Sequence, residues 1–270
     1  MSFFENLTYL ATLGSSVLLL MLVFARRESV LTYRVLTATS LILISISIGL
    51  RWLSVGHPPI LGTFEEVLAA TASLLLFAFF LDKKGEFSRL SISAVILLLT
   101  YGLFFDQLKR PLVISELSLW VDFHVLFAWL CFGLYFFVFS AAVSTVLAKK
   151  ANANQETYPT TTSLTKWLLG KGLLYGFFLQ TIFFVIGAYY SSKLHGAWWV
   201  WDSVEYLFVI SWLLYSVAIH GKLFFGWNES RTSWWIIGAF FSLLILYWGL
   251  IYFPWGTYHI FDMSIKVHFL

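Results

Sequence analysis

Eight apolar stretches, most of them close to bilayer-spanning length, constrain this chain more than any other feature of its sequence. They lie at about residues 7–25, 35–54, 66–82, 90–105, 124–148, 167–191, 205–224 and 234–253. A helix needs ~20 apolar residues to cross the hydrocarbon core, and in lipid every backbone polar group must be satisfied within the segment. The sequence therefore predicts an all-α, polytopic membrane protein with about eight transmembrane helices, built as one membrane domain over residues 1–270.

Composition supports this class and excludes several others. Of the 270 residues, 60% are hydrophobic and 11% are charged, which is far too apolar for a soluble globular domain. The net charge of +3 is too small to indicate a nucleic-acid partner. The first 25 residues lack a basic region and a small-residue cleavage site, so we expect a first span there rather than a removed signal peptide. A single cysteine, Cys131, excludes an internal disulfide and a CxxC redox pair.

The distribution of basic residues predicts the orientation in the membrane. Of the 17 Lys and Arg residues, twelve fall in one set of predicted loops and five in the other. The richer set should face the cytoplasm. Both termini, and the loop at about 192–205 that follows the sixth span, are then predicted on the extracytoplasmic side of a cell membrane or thylakoid-type membrane.

That loop carries the most unusual local sequence of the chain. Trp198, Trp199 and Trp201 fall within four positions and are followed by Asp202 and Glu205. One or two tryptophans would be an ordinary interfacial belt. Three of them beside acidic residues predict a flat aromatic platform with a polar edge, suited to a large planar apolar ligand such as haem.

Three of the six histidines lie at positions where the predicted topology suggests a function. His124 begins the fifth span and His259 follows the eighth, so both reach the same external level as the tryptophans. A neutral imidazole is a good axial ligand for haem iron, although a single histidine at a helix end is more often a plain interfacial residue. His220 lies within the seventh span, where an ionisable side chain indicates either a functional site or a structural hydrogen bond between helices.

On these residues the chain resembles the cytochrome c assembly proteins of the haem-handling superfamily, especially the CcsA/ResC type. Gly196 to Asp202, with Glu205, is similar to the tryptophan-rich WWD motif of that family. The other matches, in chain order, are Gly56-His57-Pro58-Pro59 with Phe64-Glu65, Leu119-Trp120 leading to His124, then His220 and His259.

The resemblance implies a protein that receives haem b and presents it on the outer face for thioether attachment to the CxxCH segment of apocytochrome c. It implies a CcsB/ResB-type membrane partner, with which the chain would act as a haem-lyase subunit. His124 and His259 would be the axial ligands of the external haem, and His220 would serve a deeper site whose second ligand comes from the partner. The proposed haem surface comprises Gly196, Trp198, Trp199, Trp201, Asp202 and Glu205.

The sequence leaves open the roles of the two acids and of the external cations. Asp202 and Glu205 either hold the tryptophans by hydrogen bonds or orient a ligand histidine. The haem propionates would pair with cations on the external face, and spacing does not choose among Arg51, Lys109, Arg110 and Lys193.

The chain also departs from the family pattern. Ser203-Val204 stands where Pro-Lys is common, and His195 stands where a tryptophan usually precedes the motif. The motif itself is locally closer to the CcmC-like haem delivery proteins, but the eight spans and residues 56–65 favour the CcsA type. The alternative from another class is a multi-span regulator or scaffold of haem biosynthesis. A b-type electron carrier is disfavoured, because it would need paired histidines on facing spans.

Overall fold

A computed structural model describes residues 3–25, 29–58, 62–105, 117–151 and 162–249. Seven helices in these ranges are long and apolar enough to cross a membrane, and α4 is apolar but only 15 residues long. This confirms the prediction of an all-α, multi-pass membrane protein. The helices are α1 (Phe3–Phe24), α2 (Val30–Val55), α3 (Gly62–Phe80), α4 (Ser88–Gly102), α5 (Leu119–Ala151), α6 (Ser163–His195), α7 (Ser203–Phe224) and α8 (Glu229–Gly249).

All eight helices begin two to five residues before the apolar stretch that predicted them, and in four of them a polar side chain caps the first turn. Ser29 accepts the N–H of Thr32 at 3.0 Å at the start of α2. Asn228 accepts the N–H of Arg231 at 2.9 Å at the start of α8. Thr162 and Asp202 cap α6 and α7 in the same way. An N-cap satisfies backbone donors that the helix leaves unpaired, so the polar turn belongs to the helix although hydropathy excludes it.

The chain divides into two compact units, with the boundary between Asp122 and Phe123 near the start of α5. The first unit holds α1 to α4, in which α1 and α3 each pack against α2 and α4. The hydroxyl of Tyr9 in α1 donates to the carbonyl of Leu99 in α4 at 2.5 Å. A single domain over the whole chain stays a prediction.

A buried polar cluster aligns three helices of the second unit, which holds most of α5 together with α6 to α8. Tyr135 of α5 and Tyr215 of α7 stack face to face, with ring centroids 3.7 Å apart. The Tyr135 hydroxyl donates to Gln180 Oε1 of α6 at 3.0 Å, and Gln180 Nε2 donates to Ser211 Oγ of α7 at 3.2 Å. Hydrogen bonds of this kind hold membrane helices in register because lipid offers polar groups no alternative partner.

Candidate functional site: the tryptophan loop and its histidines

The tryptophan loop joins the end of α6 to the start of α7. Gly196 ends α6 in the left-handed conformation, with φ of 71°, and so allows the chain to leave the helix. Trp201 has φ of 59° and is the one non-glycine residue in the described ranges with a positive φ. Such a backbone is costly for a bulky residue, so other contacts must hold it.

Glu205 supplies those contacts. Its Oε2 accepts the backbone N–H groups of Val200 at 3.0 Å, Trp201 at 2.5 Å and Asp202 at 3.4 Å. Asp202 Oδ1 in turn accepts the N–H of Glu205 at 2.9 Å, which completes a capping box at the start of α7. Of the two roles that the sequence left open for these acids, the structure therefore shows the first: both hold the loop that carries the tryptophans.

The three indole rings do not form the predicted flat platform. Trp199 and Trp201 meet edge to face, with an interplanar angle of 81°, and Trp198 lies against Tyr189 at the end of α6. Trp201 also lies against Tyr206 of α7, with ring centroids 5.3 Å apart, and a pattern of residue types does not reveal these ring orientations. Trp198 is 61% exposed and Trp201 is 64% exposed. Trp199 is half-buried, and its indole N–H meets no acceptor among the described residues.

His124 lies in the second turn of α5 and is half-buried. Its Nδ1 lies 2.8 Å from the backbone carbonyl oxygen of Phe183 in α6. A carbonyl oxygen only accepts, so this hydrogen bond requires a proton on Nδ1, and in the neutral imidazole Nε2 is then the unprotonated nitrogen. A carbonyl behind the imidazole is also the arrangement that orients histidine ligands of metals.

Aromatic contacts connect His124 with the tryptophan loop inside the second unit. The His124 ring meets Phe183 edge to face at 5.5 Å, and Phe183 meets Phe208 of α7 at 5.0 Å. Phe208 stacks on Phe184 at 4.8 Å, and Phe184 meets Trp199 at 5.5 Å. The structure thus brings His124 and the tryptophan loop to the same end of this unit, as the predicted topology requires.

His220 lies near the opposite end of α7 from this cluster. It follows Glu205 by 15 residues, which is about 22 Å along a helix. Its Nδ1 lies 2.8 Å from the Ser216 carbonyl oxygen, so here too the neutral imidazole would carry its proton on Nδ1. The side chain is exposed and is directed away from the α7 face that packs within the unit.

Lys222, two residues after His220, holds this end of α7 against α6. Its Nζ donates to the carbonyl of Leu169 at 2.8 Å. Leu169 lies in the π-helical turn Leu168–Gly172, and such a turn frees backbone acceptors. Lys222 lies in the last turn of α7, and its long side chain reaches the opened turn of α6.

The structure describes two of the four cations that were candidates to pair with the haem propionates, Arg51 and Lys193. Arg51 is buried in the first unit, where its Nε donates to Glu65 Oε1 at 2.8 Å, so its charge is already neutralised and Arg51 is a poor propionate partner. The same ion pair gives Glu65 a role that the sequence did not suggest. Lys193 is exposed near the end of α6, with its Nζ over the ring of Tyr189, which also contacts Trp198. His259, Lys109 and Arg110 lie outside the described residues.

Sequence reasoning left one signal unused and missed two residues. The capping box was visible as Asp202 and Glu205 at the spacing i, i+3 before an apolar stretch, and it could have assigned both acids a structural role. Phe183 and Gly187, which contact His124 from α6, carry no local signal because only the packing of α5 on α6 brings them there.

Comparison with known proteins places this arrangement in a family. A family model described as "Cytochrome C assembly protein" matches residues 2–257. The chain belongs to the cytochrome c assembly protein family. This assembly protein is 26% identical to the cytochrome c biogenesis protein CcsA of Prochlorococcus marinus over 252 residues, and to CcsA of Guillardia theta over 241 residues. The two alignments cover 80% and 79% of this chain, and 80% of each relative.

A third relative extends the similarity along nearly the whole assembly protein. CcsA of Prochlorococcus marinus strain MIT 9215 is 24% identical, and the alignment covers 92% of this chain and 93% of the relative. Family membership and the apolar helices together show a multi-pass membrane protein that acts in cytochrome c assembly and therefore in haem handling.

Proposed function

We propose that this assembly protein binds haem b and presents it on the outer membrane face for thioether attachment to the CxxCH cysteines of apocytochrome c. In this proposal it acts as a haem-lyase subunit with a CcsB/ResB-type membrane partner. The observation that carries the proposal is the setting of His124, whose Nε2 is the unprotonated nitrogen and whose ring is joined by aromatic contacts to the tryptophan loop.

His124 has the chemistry of an axial ligand for the external haem. Iron binds the unprotonated nitrogen of a neutral imidazole, and the Phe183 carbonyl selects that tautomer and adds electron density to the ring. His259 is proposed as the second axial ligand, on the strength of its place after the last predicted span.

The tryptophan loop offers the haem an apolar surface with one polar contact. Trp198 and Trp201 are exposed, and aromatic contacts contribute about 0.5–1.5 kcal/mol per pair beyond area burial. The Trp199 indole N–H is a buried donor that meets no acceptor in the described part of the chain, and a carboxylate on the ligand would satisfy it. Lys193, which the structure places beside this loop, is the better supported cation for a propionate.

His220 fits a second, deeper site shared with the partner. An exposed imidazole on a membrane helix is costly in lipid unless another polar group or a metal binds it. The side chain is directed away from the packed face of α7, and the proposed second ligand is a histidine of the CcsB/ResB-type protein.

The reaction needs orientation more than acid–base groups. Each cysteine S–H adds across a vinyl double bond, so a C–S bond forms, the proton goes to the neighbouring vinyl carbon and no external oxidant is consumed. The chain would hold the ring, keep the vinyl groups accessible and exclude competing reactions, while the reactivity belongs to the haem.

Purification with the partner from haem-replete cells tests the proposal. Wild-type protein should carry haem with the absorption spectrum of bis-histidine b-type haem. His124→Ala and His259→Ala should each lose the external haem, and His268→Ala, near the C-terminus, serves as the matched control. Wild-type protein that never carries haem even with its partner would contradict the proposal, as would an unchanged spectrum in both ligand variants.

A further inference from the structure

Gly187 of α6 lies directly against the imidazole of His124. A Cβ built at Gly187 would lie 2.7 Å from Cε1 and 2.8 Å from Nδ1 of His124. Carbon and nitrogen atoms without a hydrogen bond between them do not approach that closely, so no other residue fits at 187 while the ring keeps its place.

The backbone at Gly187 does not itself call for glycine. The residue lies inside a regular α-helical segment and is not among the glycines with positive φ. In a helix interior glycine is the least favourable residue apart from proline. Space for the imidazole is therefore the reason for glycine at this position.

Gly187 and the Phe183 carbonyl act on the ring from the same side of α6. They are four residues apart and so lie one turn apart on one helix face. The carbonyl holds Nδ1 at 2.8 Å, and the side chain of Phe183 meets the ring edge to face. Phe183 is itself buried against Phe208, so it cannot retreat to accommodate a displaced ring.

We infer that Gly187 is a positioning residue for the external haem ligand. Together with the Phe183 carbonyl it forms a seat, defined by these two groups, that holds the His124 imidazole with Nε2 as the metal-binding atom. The inference rests on the proposed function, because it assigns the seat to an imidazole that binds haem iron. Gly187 touches His124 and is not itself required to touch the haem.

The test compares two glycine-to-alanine substitutions in the full chain, purified with its partner from haem-replete cells. Gly187→Ala should push the imidazole off the Phe183 carbonyl, with roughly a tenfold or larger loss of haem bound at the external site. Haem that remains at the external site should lose the low-spin spectrum, and added imidazole should restore it because a free ligand does not need the seat. Gly238→Ala in α8 is the matched control, since a Cβ there meets no atom within 4 Å.

A folding defect is separated from a ligand defect by a double variant. Where Gly187→Ala lowers the yield or thermal stability, combining it with His124→Ala should restore both to the level of His124→Ala alone, because the ring that met the methyl group is gone. Absence of that restoration would overturn the inference.

The two proposals fail in different ways. A wild-type low-spin spectrum and wild-type haem content in Gly187→Ala, with haem lost in His124→Ala, would overturn the seat and leave the proposed function standing. External-site haem retained unchanged in both His124→Ala and His259→Ala would overturn the proposed function itself.

Discussion

The carboxylate of Glu205 accepts the backbone N–H of Trp201 at 2.5 Å, at the residue whose left-handed backbone turns the tryptophan loop. The same oxygen also binds the N–H groups on either side of Trp201. Glu205, which the sequence suggests as part of a ligand surface, is thus the residue that anchors the loop.

Removing the Glu205 carboxylate should loosen the tryptophan loop. Glu205→Ala leaves three N–H groups without their acceptor, and hydrogen bonds to a charged group contribute about 1.5–3 kcal/mol each. We expect a lower midpoint of thermal unfolding in detergent and a loss of bound haem, with Glu205→Gln intermediate because it keeps one oxygen. Glu229→Gln, an exposed acid in the first turn of α8, is the control. Haem loss from Glu205→Gln at unchanged thermal stability would point to a direct ligand contact instead.

Substitutions of Asp202 should separate its capping role from a charge-dependent role. Asparagine is as good an N-cap as aspartate, whereas alanine costs about 1 kcal/mol of helix stability. We therefore expect Asp202→Asn to keep wild-type stability and haem content, and Asp202→Ala to lose part of both. Equal loss of haem in the two variants would mean that the negative charge matters beyond the cap.

The buried ion pair of Arg51 with Glu65 should show strong coupling. Both side chains are almost fully buried, so removing one partner leaves an uncompensated charge at a cost of about 3–5 kcal/mol. Arg51→Met and Glu65→Leu should each reduce the yield of folded protein and its unfolding temperature. The double variant should be more stable than the less stable single variant. Additive losses in this double-mutant cycle would show that the two residues do not depend on each other.

Stability should depend on pH through Asp82, in the turn after α3. Burial raises the pKa of Asp82 to about 6, although its carboxylate accepts the N–H groups of Glu86 at 2.6 Å and Phe87 at 2.9 Å. Because the folded pKa exceeds the ordinary value of 3.8, the folded protein keeps its proton longer than the unfolded chain. Stability from this group should therefore fall as pH rises from about 4 to about 6, by about 3 kcal/mol, and then stay level.

The measurement is the unfolding temperature of wild-type protein and of Asp82→Asn between about pH 4 and pH 8. The wild-type protein should gain stability relative to Asp82→Asn as the pH is lowered through 6. Parallel curves for the two proteins would rule out titration of Asp82 as the cause.

Much of the site was predictable from residue types in order along the chain. Three tryptophans and two acids beside an apolar stretch marked the loop, and the spans placed His124 at the level of that loop. The orientation of the indole rings was not predictable, because it depends on the backbone of Trp201 and on contacts with Tyr189, Phe184 and Tyr206. The pairing of Arg51 with Glu65 was equally hidden, since it joins two helices of the first unit.

The sequence by itself determined the class, the approximate spans and the family, because burial in lipid imposes long apolar helices and the motif residues are local. Tertiary structure alone decided what each site residue contacts. The Phe183 carbonyl and the space at Gly187 lie far from His124 in sequence and reach it only through the packing of α5 on α6. Contacts between helices depend on rotation and register, and apolar composition specifies neither.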